Sequence, residues 1–448
     1  MEDYIYQTLL PLLEAKNYRE IKRIVCYFNP IDLVEAFEEL PENYVPIIFR
    51  LLNKDLAADT FIEMDTDMQE RLIHELTDSE LKEVVEELFM DDATDLVEEM
   101  PAMIVNRILR QADNETRDII NELLQYPEGS AGSIMTTEFV NLNPRMTAAD
   151  AIKRIRRTGV DKETIDTCYV TDYHRHLIGV VSIRAVILAD DDDLIVDFME
   201  KNIISVKTLE DQEDVARMFE RYHFTSMPVV DAENRLVGIV TVDDAMDVLT
   251  EETTEDIAKM AAIVPSYKPY LKESTYTLWR NRIPWLMVLM VSATFTGMII
   301  NRYEDALAVH VVLTAFIPML MDTAGNAGSQ SSSTIIRGLS LEEIAFADFF
   351  KIIWKEIKVG FFAGVTMGVL TFLKLVLLDK LAVAVALTVA LTLIATVVSA
   401  KIGGSVLPLL ANYLRMDPAV VSGPLITTVV DAFSLIIYFR FATAFMGI

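Results

Sequence analysis

Cysteine is nearly missing from this 448-residue chain, and the two present, Cys26 and Cys168, are too few for a disulfide framework or a thiolate metal centre. That scarcity suits a reducing compartment. The five histidines fall in no Ser/His/Asp or Cys/His arrangement, and the sequence contains neither a Walker loop nor zinc-ligand spacing. Nucleophilic hydrolysis and ATP-driven chemistry are therefore not expected. His174 and His176 fall in a presumed hairpin turn, a surface position rather than a metal site. The opening Met1-Glu2-Asp3-Tyr4-Ile5-Tyr6 has no basic n-region and no apolar h-region, so no cleavable signal peptide is expected. Basic residues are scarce in one region above all. Of 39 Lys/Arg and 68 Asp/Glu, ten of each follow Arg282, so the first 282 residues hold 29 bases against 58 acids and carry the whole net charge of −29. Such a block argues against nucleic acid or an anionic membrane surface as partner and favours cations.

The chain is too long for one compact domain, and its mean hydropathy of +0.30 is that of two unlike parts averaged. Beyond Arg282, apolar runs have the length needed to cross a hydrocarbon core, about 20 helical residues each. Five spans are predicted: Ile283 to Ile300, Ala306 to Ala324, Val359 to Leu378, Leu381 to Leu410 with a break at Gly403-Gly404, and Pro418 to Phe439. Lys268, Lys272, Arg280 and Arg282 precede the first; Arg337, Lys351, Lys355 and Lys358 lie between the second and third; Arg415 lies between the fourth and fifth. Only Arg302, Lys380 and Arg440 fall on the other side, so the positive-inside rule places the N-terminal region in the cytoplasm and the C-terminus outside.

Two repeats organise the cytoplasmic part. Asp32-Leu33-Val34-Glu35-Ala36-Phe37-Glu38-Glu39-Leu40-Pro41 is echoed by Asp95-Leu96-Val97-Glu98-Glu99-Met100-Pro101, which predicts short amphipathic helices stacked as an all-α superhelix over residues 1–130. Met135 to Ile155 then matches Met199 to Phe219, Tyr169-Val170-Thr171-Asp172 matches Pro228-Val229-Val230-Asp231, and Gly179-Val180-Val181-Ser182 matches Gly238-Ile239-Val240-Thr241. Each copy reads strand, helix, strand, tight turn, strand, helix, and closely resembles a CBS domain; the α/β pair spans 131–249, split at about 196. The element by which many CBS repeats hold a nucleotide ribose is complete in the second copy at Gly238, Thr241 and Asp244, where ATP is therefore expected. In the first copy Ala185 stands in the Asp position.

Residues that bear on chemistry lie further on. Pro318 to Thr334 is rich in Gly, Asn, Gln and Ser, so at membrane depth it must line water or pack closely on another helix. Asp431 is the only ionisable residue from Pro418 to Phe439, and a carboxylate there costs about 2.5–3.5 kcal/mol on insertion scales. It needs a use or a partner; Lys374 and Lys401 are the candidate partners. In the connector, Asp247, Glu251 and Glu255 share a helical face at i, i+4, i+8, where like charges repel unless a cation bridges them to an opposing surface. Asp91, Asp92, Asp95 and Asp190 to Asp193 are candidates for that surface.

Taken together, an acidic helical N-terminal domain, a CBS pair, an acidic connecting helix over 250–282 and five spans over 283–448 bearing Gly325-Asn326-x-Gly328-x-Gln330 and Pro424-Leu425-x-x-x-x-x-Asp431 resemble the MgtE family of magnesium transporters. The resemblance covers essentially the whole chain. It implies a homodimeric, multi-pass plasma-membrane channel for Mg²⁺, closed by cytoplasmic Mg²⁺; the charge pattern of Asp91, Asp95, Asp247, Glu251 and Glu255 makes those carboxylates the expected place for that ion. The channel's pore carboxylate would be Asp431, with Asp322 at the entrance and Gly325, Asn326, Gly328, Gln330 and Thr427 along the pore. Gly423 stands where some members have Asn. Independently of the family, two Asp431 carboxylates facing across a two-fold axis suit Mg²⁺, which keeps several waters and takes one or two carboxylates. Carriage of Co²⁺ or Mn²⁺, and a membrane-anchored metal or nucleotide sensor without transport, are the alternatives.

Overall fold

The computed structural model describes residues 2–446 apart from Tyr267, Glu342 and Ser422. The chain divides into two compact units, Met1–Leu249 and Thr250–Ile448.

The first unit begins with ten short α-helices, from Glu2–Glu14 to Asn114–Leu123. Side-chain caps mark the starts at Thr66, Asp78 and Asn114: Asp65 accepts from the Met68 amide, Thr77 with Glu80 forms a reciprocal capping box, and Asp113 accepts from the Thr116 amide. The echoed segments are the helices Pro30–Glu39 and Met90–Glu99, the latter called α1. The first buries Leu33, Val34, Ala36 and Phe37, and α1 buries Ala93, Leu96 and Val97, in one continuous core. Burying that apolar stripe, at roughly 1.5–3 kcal/mol per large side chain, is what holds helices too short to persist alone.

The two CBS copies form two three-stranded sheets of identical order: β1 (Phe139–Leu142), β2 (Thr164–Thr171) and β3 (Leu177–Ser182), then β4 (Val206–Lys207), β5 (Ser226–Val230) and β6 (Leu236–Thr241). In each, the first pair is parallel and the second antiparallel, as the alternation of strand, helix and tight turn requires. The copies are tied by the buried Tyr169 hydroxyl, 2.7 Å from Ser226 Oγ. His176 closes its hairpin turn through Nδ1, 2.9 Å from Asp172 Oδ2, a turn role as expected. After β6 comes α2, Val242–Met260. It starts earlier and ends sooner than the predicted connector, because no breaker interrupts 242–260 while Pro265 and Pro269 follow.

In the second unit, five helices among the described residues are long and apolar enough to cross a membrane. They are α3 (Thr275–Arg302), α4 (Ile317–Ser340), α5 (Phe349–Leu373), α6 (Val383–Tyr413) and α7 (Gly423–Met446). Their number agrees with the sequence, but the placements differ: α3 and α5 begin at Thr275 and Phe349, ahead of the expected Ile283 and Val359, and the other three depart as follows. The expected second span is a short helix, Glu304–Val309, a 3₁₀ stretch, Val311–Phe316, and then α4, which Pro318 opens from its first turn. The Gly-Asn segment therefore lies inside a spanning helix rather than after one. The fourth helix is unbroken at Gly403-Gly404, because Gly404 serves a helix contact: a Cβ there would sit 2.1 Å from the Gly328 carbonyl oxygen. The fifth begins at Gly423, Pro418–Val420 being a 3₁₀ turn.

Candidate functional site

Helix α4 has two chemically distinct faces. Ala324, Gly328, Ser331 and Ile335 are buried, whereas Asp322, Asn326, Gln330 and Ser333, spaced to share the opposite face, are exposed. A polar stripe of this kind cannot face hydrocarbon. On the buried side, the Gly325 Cβ position lies 2.8 Å from Thr427 Cγ2, and that of Gly328 lies 3.1 Å from Ile426 Cγ2. Gly325 and Gly328 thus give α4 a close seat against α7, which departs from the expectation that they line a pore. Thr427 donates its hydroxyl hydrogen to the Gly423 carbonyl at 2.8 Å, leaving its oxygen as an acceptor.

Asp431, on α7, is half-buried, and its Oδ1 is buried with no hydrogen-bond partner. Neither candidate lysine neutralises it: Lys374 pairs with Asp379 at 3.3 Å, and Lys401 donates to Ser331 Oγ at 3.2 Å. The charged group within electrostatic reach of Asp431 is another carboxylate, Asp322. An unsatisfied carboxylate within electrostatic reach of a second one, in a segment of membrane length, costs free energy that a group of opposite charge would relieve.

In the first unit, carboxylates from distant parts of the sequence converge. Asp91 and Asp92 on α1, Asp243 and Asp244 on α2, and Glu138 and Glu163 beside β1 and β2 act on one another. Asp91 is 7% exposed, and burial, reinforced by the charges of Asp244, Asp92 and Glu163, holds its carboxyl well above the usual carboxylate range. Burial first, and then the charges of Asp244, Asp243 and Glu138, push Asp92 up to about 7 and Glu163 up to about 8, and burial raises Asp244 to about 6 although Thr241 bonds to it. One Glu163 oxygen is buried without a partner. Asp95 and Asp247 stand at the exposed edge of this group, each raised by burial first and by an acidic neighbour second. Charge repulsion here is relieved by protons or by a cation. Among the described residues no three His, Cys, Asp or Glu groups form a ready-made metal cage.

The remaining candidates are placed elsewhere. Glu251 is exposed on α2, and Glu255 lies 2.7 Å from Lys259 Nζ, which also reaches Asp417 at 2.7 Å. Burial opposes the charge on Lys259, but those two carboxylates prevail and hold its pKa above the ordinary lysine value. Asp190 to Asp193 form an exposed turn. Thr241 and Asp244, expected to hold a ribose, bond to each other and face the carboxylates of α1, a poor setting for phosphate. An open cavity of about 580 Å³ lies between the CBS copies, against Ser182 and Ala185 of the first and Asn202, Tyr222, Phe224 and Thr225 of the second. Sequence reasoning missed Glu138, Glu163 and Asp243 as members of the cluster.

Five apolar helices with a polar stripe and an unpaired carboxylate, joined to a CBS pair, have the make-up of a multi-pass membrane transporter of cations. Residues 317–441 match the family model described as a divalent cation transporter, residues 28–129 match the MgtE intracellular N domain, and 131–192 and 195–251 match CBS domains. Over 445 residues the chain is 33% identical to the magnesium transporter MgtE of Bacillus subtilis (strain 168), covering 99% of this chain and 98% of that one. It is 34% identical over 452 residues, with the same coverage, to the magnesium transporter MgtE of Thermus thermophilus. A solved cytosolic domain of the Mg²⁺ channel MgtE in complex with ATP superposes with a TM-score of 0.53 at 34% identity, over 54% of this chain and 99% of that one. The chain belongs to the MgtE family of magnesium transporters, which are not enzymes.

Proposed function

We propose that the protein is a homodimeric, Mg²⁺-selective channel of the plasma membrane, with its N-terminus cytoplasmic and its C-terminus outside, that passes Mg²⁺ inward down its electrochemical gradient. The observation that carries this reading is the unpartnered Asp431 beside Asp322, together with the exposed stripe of Asn326 and Gln330. A second copy related by a two-fold axis would enclose those stripes around water and double the carboxylates, which suits an ion that keeps its hydration shell. Cytoplasmic Mg²⁺ closes the channel by binding the acidic cluster centred on Asp91, Asp92 and Asp244, with Asp95 and Asp247 at its edge. A cation that neutralises the cluster favours the compact arrangement and shifts the population toward it. Flux of Mg²⁺ into liposomes holding the purified protein tests the reading, with and without Mg²⁺ on the cytoplasmic face. Absence of flux defeats transport, flux indifferent to cytoplasmic Mg²⁺ defeats gating, and equal flux of Co²⁺ or Mn²⁺ defeats selectivity.

A second ligand, an adenine nucleotide, also belongs to this reading. A relative's cytosolic domain was solved with ATP. In this chain the cavity bearing Tyr222, Phe224 and Asn202 offers an aromatic face and an amide to a base, with Ala185 where a carboxylate would hold the ribose. Weak binding is expected there, and calorimetry with millimolar ATP tests it: no heat would remove the nucleotide from the account.

A further inference from the structure

Behind the polar stripe lies a second charged feature that ion passage does not use. Lys401, on α6, is 6% exposed. Its ammonium donates to Ser331 Oγ on α4 at 3.2 Å, and Ser331, 2% exposed, donates its own hydrogen to Glu356 Oε2 on α5 at 2.6 Å. One hydroxyl thus joins a cation and an anion across three helices. Packing alone does not need these charges, since apolar side chains of similar volume fill such a site as well or better. Ser331 lies on the face of α4 opposite Asp322, Asn326 and Gln330. Turning α4 about its axis would carry the stripe sideways and pull Ser331 away from both partners. Gly328 and Gly404, in backbone contact, hold α4 at a fixed distance from α6 but present no side chains that interlock against rotation.

We propose that the Lys401–Ser331–Glu356 bridge is a positioning element that fixes the rotation of α4, and through it sets which hydrated divalent cation the polar stripe accepts. The idea rests on the transport reading above. A strongly hydrated ion recognised through its waters is discriminated by where amide and carboxylate oxygens stand, so a small rotation changes selectivity before it changes folding.

The test measures Mg²⁺ and Co²⁺ flux in liposomes for wild type, Lys401→Met, Glu356→Gln, the double variant, and Ser331→Ala. Each single charge variant strands the other charge, buried Lys401 or half-buried Glu356, and Mg²⁺ flux should fall about tenfold or more, whereas removing both charges together should restore it to within about threefold of wild type. Ser331→Ala keeps both charges and should shift the Mg²⁺/Co²⁺ flux ratio about threefold or more while the protein stays monodisperse. If the single charge variants fail to reach the membrane, the Ser331→Ala ratio decides. A wild-type protein that conducts, with Ser331→Ala showing an unchanged ratio, overturns the positioning role and leaves transport standing; a wild-type protein that carries no Mg²⁺ overturns both.

Discussion

Both units pair many of their charges, but they differ in how they place the carboxylates that no cation meets. In the membrane unit several charges meet an opposite one, Lys374 with Asp379, Lys351 with Asp348, and Lys401 with Glu356 through Ser331, whereas the charge that acts on Asp431 among the described residues is another carboxylate. In the first unit carboxylates are gathered together, and their mutual repulsion survives as raised proton affinity. A lone unpaired carboxylate suits an ion that must leave again, whereas several acting together suit an ion that must be held until its concentration falls. On the function proposed above that contrast separates passage from sensing, and it can be broken at either end.

The largest effect is expected at Asp431. Asp431→Ala should abolish Mg²⁺ uptake while the protein remains folded and of unchanged oligomeric size; wild-type flux in the variant would move the ion site elsewhere. Next comes the helix seam. Gly404→Ala adds a carbon 2.1 Å from the Gly328 oxygen and should lower stability by about 1–3 kcal/mol or more, read as a fall in melting temperature in detergent. On the sensing side, neutralising Asp91, Asp95, Asp247, Glu251 and Glu255 together should leave the channel open at cytoplasmic Mg²⁺ levels that close wild type. Unaltered closure would mean the acidic edge only aids solubility.

A smaller effect follows from pH. Asp92 at about 7 and Glu163 at about 8 bind protons more tightly when folded than an ordinary carboxyl near 4. The folded form therefore holds the extra protons between about pH 4 and 8, and stability must fall as pH rises through that window, by on the order of 1.4 kcal/mol per pH unit for each proton released. The fragment from Met1 to Lys272 should melt lower at pH 8 than at pH 5 without divalent ions, and millimolar Mg²⁺ should offset the loss. A melting temperature that rises with pH would contradict the cluster. The smallest effect concerns the nucleotide. Phe224→Ala should weaken ATP by about tenfold, the worth of one stacked base, whereas Asp244→Asn should change it by less than about twofold.

Much of this was legible in the sequence because it depends on local pattern. The CBS copies repeat strand by strand, so Tyr169-Val170-Thr171-Asp172 and Pro228-Val229-Val230-Asp231 announce equivalent strands, and Asp431 stands out against an apolar run. What was not legible depends on distance or on ambiguous chemistry. Glu138 and Glu163 join Asp91 and Asp244 only once the chain has folded, and nothing near them in sequence marks the meeting. Glycine reads equally well as a helix breaker and as a helix contact; at Gly403-Gly404 the second role wins, because Gly404 faces the backbone of α4. The start of α4 was misplaced for a related reason: Gly, Ser and Asn lower hydropathy without preventing a buried helix.

The seam between α5 and α6 has a consequence of another kind. Gly360, Gly364 and Gly368 recur every fourth residue, and a Cβ on any of them would come within about 3 Å of α6, meeting Val398 Cα at 3.0 Å, Ile394 Cα at 3.0 Å and Ile394 Cγ1 at 2.9 Å. On the outward faces of α5, Phe361, Phe362, Leu370 and Leu373 are exposed, and one apolar side chain serves there as well as another. A saturation mutagenesis of this helix should therefore give a sharply uneven profile: three positions that reject large side chains, set at regular intervals in a stretch that accepts almost any oily one. Such a pattern would reveal the buried edge of the helix from survival counts alone, with no structural measurement.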